Sequence, residues 1–116
     1  MNPAIKAQWV AALRSGDYVQ GQNRLRNLNI ETHPHCCLGV LTDLYVKAND
    51  MTWADMPNGA VPLGLPPVEV GVWAGFKNYE LDGTTVYIEN EPGFLHVHND
   101  SGKTFLQIAD AIESQL

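Results

Sequence analysis

The densest run of apolar residues in the chain covers residues 34–45 and contains both cysteines. Within and just beyond it, side chains recur at helical spacing at Cys37, Leu41, Leu44 and Ala48. A helix that is apolar on most of its sides must be buried against other elements. The pattern therefore predicts a central buried helix over about residues 35–48, with Pro34 in its first turn. We expect the small residues Cys37 and Gly39 to let neighbouring elements approach this helix closely.

Two amphipathic helices are indicated at the ends of the chain. Asn2 is a typical N-cap, and the apolar residues after it repeat at spacings of three and four, which predicts a helix over residues 3–14. Thr104 followed by Gln107 is a capping-box pattern. The apolar repeat that follows predicts a last helix over residues 104–115.

The middle of the chain is rich in proline and glycine. Residues 49–67 hold four of the seven prolines, which excludes a long helix or a central strand there. We predict a long connection, anchored by Trp53 and Met56. Residues 67–76 fit both a strand and a short helix, and we favour a helix closed by Gly75.

Strand signals are concentrated in the last third of the chain. Asp82 and Gly83 have the chemistry of a tight turn and precede β-branched residues, which predicts a hairpin. Residues 94–98 alternate between apolar and polar side chains and predict another strand. Short extended segments are also expected near residues 18–20 and 24–26.

Composition limits the chain to one globular domain. Of its 116 residues, 45% are hydrophobic and 17% are charged, a balance typical of a folded domain with its own core. Together with the predicted elements, this indicates a single domain over residues 1–116 of the α+β class. We expect three or four helices around a central buried helix, with a small antiparallel sheet.

The charge balance limits the possible partners. The formal net charge is -6, the acidic residues are scattered and no basic stripe is present, so a generic nucleic-acid partner is not expected. A small anionic ligand held by two or three basic residues remains compatible with this balance. Neither an apolar window long enough to span a membrane nor a signal-peptide pattern is present. We therefore predict a cytoplasmic protein with no membrane partner and no cofactor.

Motifs from four parts of the chain occur together in this sequence. They are residues 9–16 with Tyr18, Gln20 and Gly21; residues 36–41 with Asp43 and Leu44; Leu65 and Pro66 with residues 73–75; and Asn99, Asp100 and Gly102 with Phe105, residues 108–110, Ile112 and Glu113. Together they resemble a group of small bacteriophage and prophage proteins of uncharacterised function. The resemblance implies a small cytoplasmic protein of an infected bacterium, and it implies no catalytic residues. His96 and His98 depart from the pattern of that group.

The most site-like part of the sequence is the polar segment of residues 20–27. Arg24 and Arg26 would share one face if this segment were extended, and two guanidinium groups suit a phosphate or a carboxylate. The turn before the last helix, at residues 99–104, offers N–H groups that favour an anion. Aromatic side chains that could stack on a ligand ring are Tyr18, Trp53 and Trp73. The predicted ligand-binding residues are Tyr18, Gln20, Arg24, Arg26, Trp73, Asn99, Asp100, Lys103 and Thr104.

These features favour a non-enzymatic protein that binds a small anionic or nucleotide-like ligand. In a bacteriophage it would act as a counter-defence protein that sequesters a signal molecule. A host protein as partner and a homo-oligomer both stay open. An adaptor or inhibitor that binds a host protein would show an exposed apolar patch around Trp73 and Phe76.

A hydrolase is the alternative from another functional class. His96 and His98 would share one face of the predicted strand, with Asp100 beyond them, and these groups suit a metal. Cys36 and His35 would instead suit a thiol mechanism. We assign no metal-ligating residues, because the spacings typical of zinc sites are absent.

Overall fold

A computed structural model describes residues 1–56 and 65–116, and it confirms the α+β class. These residues form six α-helices, one short 3-10 helix and one antiparallel sheet of two strands. In chain order the elements are α1 (Pro3–Arg14), α2 (Cys37–Ala48), the 3-10 helix (Trp53–Asp55), α3 (Val68–Trp73), α4 (Glu80–Gly83), β1 (Thr85–Ile88), β2 (Glu91–Phe94), α5 (Leu95–Asp100) and α6 (Phe105–Gln115). None of the helices in these two ranges is both long and apolar enough to cross a membrane.

The predicted central helix is confirmed. In α2, every residue from Cys37 to Asp43 is buried, as is Val46, and the helix contacts α1, α3 and α5. It begins two residues later than predicted, because Cys36 is extended and acts as the N-cap. The Cys36 sulfur accepts a hydrogen bond from the Gly39 N–H at 3.4 Å.

The two terminal helices are confirmed and pack against each other. The Asn2 side chain caps α1, and Thr104 with Gln107 forms the predicted capping box of α6. Trp9 of α1 is fully buried, and its indole N–H donates to the Cys37 carbonyl of α2 at 3.0 Å. The largest α1 side chain is therefore tied directly to the start of the central helix.

The hairpin exists, but its predicted turn is wrong. Asp82 and Gly83 lie in the short helix α4, and the strands β1 and β2 are joined by Glu89 and Asn90. Both of these residues have positive φ, 54° and 67°, as a two-residue type I′ turn requires. Asparagine tolerates this conformation but glutamate does so rarely, which is why the sequence pointed to the Asp-Gly pair instead.

The predicted strand over residues 94–98 is wrong, because residues 95–100 form the helix α5. The buried positions of α5 are Leu95, His98 and Asn99, which is helical spacing. Val97, which completed the apparent alternation, is exposed. The additional short helices α4 and α5 raise the number of helices above the predicted three or four.

The helix favoured over residues 67–76 is confirmed as α3. Phe76 is buried, and Trp73 is half-buried with its ring 5.6 Å from that of Tyr45. Of the two side chains predicted for the apolar patch of an adaptor, Phe76 is therefore buried and Trp73 is partly exposed. In the predicted connection, Trp53 and Met56 are buried anchors, whereas residues 57–64 lie outside the described residues.

A close backbone contact fixes the polar segment onto α2. A Cβ atom added to Gly39 would lie 1.7 Å from the Leu25 carbonyl oxygen, far inside van der Waals contact. Leu25 is itself buried in the core. Gly39 therefore lets the chain at residues 24–26 lie directly on the central helix, as expected from its size.

Gly39→Ala should destabilise the protein by more than about 3 kcal/mol, because the clash is with backbone rather than with a movable side chain. Gly83→Ala is the matched control, since nothing lies within 4 Å of an added Cβ there. Urea unfolding of both variants checks this. Equal stability of the two variants would contradict the close contact.

Candidate functional site

Residues 34–36 form an extended ribbon that organises the polar segment. His35 makes a parallel bridge with Gln20 and an antiparallel bridge with Arg26. Backbone hydrogen bonds of 2.8 to 3.2 Å hold residues 19–21 on one side and residues 24–27 on the other side of this ribbon. The two predicted extended segments therefore pair with residues 34–36 and not with each other.

A groove of about 580 Å³ opens beside this ribbon. It lies between the polar segment of residues 20–27 and the turn before α6, the two segments that the sequence marked as site-like. Its volume falls in the range of small-molecule sites. The residues that line it are Gln20, Gly21, Gln22, Asn23, Arg24, Asn27, Ile30, Pro34, Gly102 and Lys103.

The side-chain amide of Asn99 joins the two walls of the groove. Asn99 is fully buried, and its oxygen accepts from the Gln20 side chain at 3.0 Å and from the Cys37 N–H at 3.1 Å. Its nitrogen donates to the Gly21 carbonyl at 2.8 Å and to the Asp100 carboxylate at 3.1 Å. Both polar atoms are occupied, so Asn99 positions the groove and leaves ligand contact to other side chains.

Two backbone N–H groups at the start of α6 already donate to side chains of the same protein. The Gln20 side chain accepts from the Phe105 N–H at 3.0 Å, and the Thr104 hydroxyl accepts from the Gln107 N–H at 3.2 Å. The anion site expected at this helix start therefore already has side-chain acceptors. Gln20 and Thr104, both predicted to bind ligand, act here as local structural groups.

Two further predicted residues have partners within the fold. The Asp100 carboxylate accepts from the Asn23 N–H at 2.8 Å. The Lys103 ammonium lies 3.3 Å from Glu89 and 3.6 Å from Glu91, so its charge is neutralised by the hairpin. Lys103 lines the groove, but it adds little positive charge there.

Arg24 is the cation that the groove presents. It is exposed, and its side chain makes no hydrogen bond or salt bridge with any described residue. Three amide side chains accompany it, Gln22, Asn23 and Asn27. The sequence pointed to these polar residues but not to Ile30 and Pro34, which form an apolar wall of the groove. Single apolar residues in a loop carry no repeat that would show which surface they line.

Arg26 lies elsewhere, so the expectation that both arginines share one face is wrong. Its guanidinium carbon lies 4.4 Å from the centre of the Trp53 ring. Residues 24–26 are held by an isolated bridge and do not form a regular strand, so alternate side chains need not point the same way. Tyr18 and Trp73 also lie outside the groove lining.

A second polar group, here named the Asp43 cluster, consists of Tyr18, Arg26, His35, Asp43, Lys47 and Trp53. The Asp43 carboxylate accepts from the Tyr18 hydroxyl at 2.5 Å, the Lys47 ammonium at 2.7 Å and the Trp53 indole at 2.9 Å. Burial acts to raise the pKa of Asp43, but these hydrogen bonds together lower it. Sequence reasoning missed this cluster, although a carboxylate inside an apolar helix with a lysine one turn later was a usable signal.

A family model described as Domain of unknown function (DUF8296) matches residues 1–116. The chain belongs to the DUF8296 family. No curated protein and no solved structure matches it.

The two side-chain arrangements that the sequence offered for a hydrolase are not formed by the described residues of this DUF8296 protein. Cys36 is buried, and burial raises its pKa to about 11, so it is a protonated thiol at neutral pH. His96 and His98 are two residues apart on a helix, where such side chains diverge. Within residues 1–56 and 65–116, no three metal-ligating side chains come together.

His35 is the most unusual residue of the Asp43 cluster. It is 8% exposed, and neither ring nitrogen has a hydrogen-bond partner within the described ranges. Its ring stands edge-on to Tyr18 and Trp53, with centres 5.1 and 6.0 Å away. Burial, together with the charges of Arg26 and Lys47, lowers the pKa of His35 against the opposing effects of the Asp43 charge and of the His33 backbone. The neutral imidazole is therefore the form that this fold stabilises.

His35→Phe should remove part of the acid sensitivity of this DUF8296 protein. An unfolded histidine titrates near 6.5, and the folded pKa of His35 is lower, so the unfolded state takes up the proton first as the pH falls. The stability due to neutral His35 is present above about pH 6.5 and is lost as the pH falls through the folded pKa. We expect urea unfolding at about pH 7.5 and about pH 5.5 to show a smaller loss in the variant.

An equal loss of stability in the parent protein and in His35→Phe would contradict this assignment. The folded pKa of Asp43 is lowered from 3.8, so the stability that this carboxylate contributes is lost only at more acidic pH. Asp43 is present in both proteins, so it does not affect the comparison.

Proposed function

We propose that this DUF8296 protein is a non-enzymatic binding protein whose groove holds one small anionic ligand. Arg24 carries the proposal, because it is an exposed guanidinium at the groove with no partner among the described residues. A planar guanidinium can bind a carboxylate or a phosphate through two parallel hydrogen bonds. No salt bridge among the described residues engages this guanidinium.

The other groups of the groove define the kind of ligand that fits. Gln22, Asn23 and Asn27 provide neutral donors and acceptors, while Ile30 and Pro34 provide an apolar wall. A single arginine in the groove lining of a chain of net charge -6 favours a compact anion and disfavours a polyanion. The ligand class is therefore a small molecule with one carboxylate or phosphate and an uncharged polar or apolar body.

The resemblance to bacteriophage proteins supports a more specific version of this proposal. In that version the ligand is a nucleotide-like signal, and the protein sequesters it in the bacterial cytoplasm as a counter-defence protein. The described lining of the groove contains no aromatic ring, so a base would rest on Ile30 and Pro34. We expect the phosphate to contribute more binding energy than the base.

Arg24→Gln should weaken ligand binding about 10- to 100-fold, because a hydrogen-bonded charged pair contributes about 1.5–3 kcal/mol. The measurement is the shift in thermal unfolding with millimolar inorganic phosphate, nucleoside monophosphates or cyclic nucleotides. Arg14→Gln is the matched control, since it removes the same charge from the contact between α1 and α6 and leaves the groove intact.

Two results are expected if the groove binds the ligand. At least one of these probes must raise the unfolding temperature of the parent protein, and Arg24→Gln must reduce that shift while Arg14→Gln keeps it. If no probe raises the temperature, or if Arg24→Gln responds like the parent, the groove is not the binding site.

A further inference from the structure

The Asp43 cluster contains a cation that the groove does not use. Arg26 is half-buried, and its guanidinium group lies over the ring of Trp53. Its side chain makes no hydrogen bond or salt bridge with the described residues. Stacking occupies the flat face of the guanidinium, so the N–H groups at its edge stay available to a partner.

The ring beneath Arg26 is rigidly held. Trp53 is 7% exposed, and its indole N–H donates to Asp43 at 2.9 Å. The 3-10 helix that carries Trp53 is closed by hydrogen bonds from Thr52 to the Asp55 carboxylate at 2.8 and 3.0 Å. The backbone of Arg26 is in turn held by its bridge to His35. The guanidinium group is therefore preorganised and would lose little freedom on binding.

The only carboxylate of the cluster does not neutralise Arg26 directly. One oxygen of Asp43 accepts from Trp53, and the other accepts from Tyr18 and Lys47. With Arg26 and Lys47 positive and Asp43 negative, the cluster carries one excess positive charge while His35 is neutral. Partial burial also removes water from Arg26 and lowers its pKa, and the charge of Asp43 offsets this effect only in part, so an added anion would stabilise the guanidinium further.

We infer that Arg26, stacked on Trp53, forms a second anion site that binds a carboxylate or phosphate group of a small molecule. The edge of the guanidinium makes the contact, and the Lys47 ammonium, whose side chain is 68% exposed, adds to the local positive potential. This site lies apart from the groove, because Pro34 of the ribbon lines the groove while the ring of His35 packs in the Asp43 cluster. It goes beyond the proposed function and does not depend on it.

NMR of the nitrogen-15-labelled 116-residue protein tests this site. Inorganic phosphate and succinate are added separately at constant ionic strength, while the indole N–H signal of Trp53 and the side-chain N–H signal of Arg26 are followed. Saturable shifts of both signals with phosphate assign a phosphate site, and such shifts with succinate assign a carboxylate site. Either result supports the second site. Linear shifts with both probes would overturn it.

Two arginine variants separate this site from the groove. Arg26→Gln should weaken the response of Trp53 at least about tenfold, whereas Arg24→Gln should leave it unchanged. Arg26→Lys keeps the charge but loses the planar edge, so it should bind more weakly than the parent even if Arg26→Gln fails to fold. A Trp53 response that survives in Arg26→Lys at full strength, or that disappears in Arg24→Gln, would assign the anion to another place.

Discussion

The fold around the groove depends on one buried amide, the side chain of Asn99. It connects the end of α5 to Gln20 and Gly21 of the polar segment, and to the first N–H of α2 at Cys37. These partners are 62 to 79 residues away along the chain. Replacing Asn99 with an apolar residue would leave several buried groups without partners, each costing about 1–3 kcal/mol. The groove therefore depends on a residue that a ligand need never touch.

Gly39 supplies the second constraint, and it acts on the same end of α2. Because the backbone at Leu25 lies directly on Gly39, the chain on either side of Leu25 has little freedom. Arg24 leads toward the groove and Arg26 toward the Asp43 cluster. The central helix therefore also determines where Arg24 and Arg26 lie, which its apolar pattern does not reveal. Cys36 and Cys37 at its start are buried, and the helix holds the groove and the Asp43 cluster on the two flanks of residues 34–36.

The parts of this fold that could be predicted are those that local sequence determines. Caps and apolar repeats located α1, α2 and α6 to within two residues, since Asn2 and Thr104 satisfy helix ends through neighbouring atoms. The turn at Glu89 and the helix α5 could not be predicted, because tertiary packing overrides local preference there. For the site, the sequence marked the two polar segments but not their roles. Most of their side chains hold the segments together, and that depends on contacts formed only in the folded chain.

The separation of Arg24 from Arg26 follows from electrostatics as well as from packing. Two guanidinium groups on one face would repel each other unless a strongly charged ligand bridged them, and that repulsion is larger where burial excludes water. Stacking Arg26 on Trp53 provides an attractive aromatic face and places it within the field of Asp43. Arg24 is exposed to solvent at the groove, so a ligand that binds it pays only a small desolvation penalty. A chain of net charge -6 can therefore present two separate weakly cationic points, each suited to one anionic group, without building the basic surface that would attract nucleic acid.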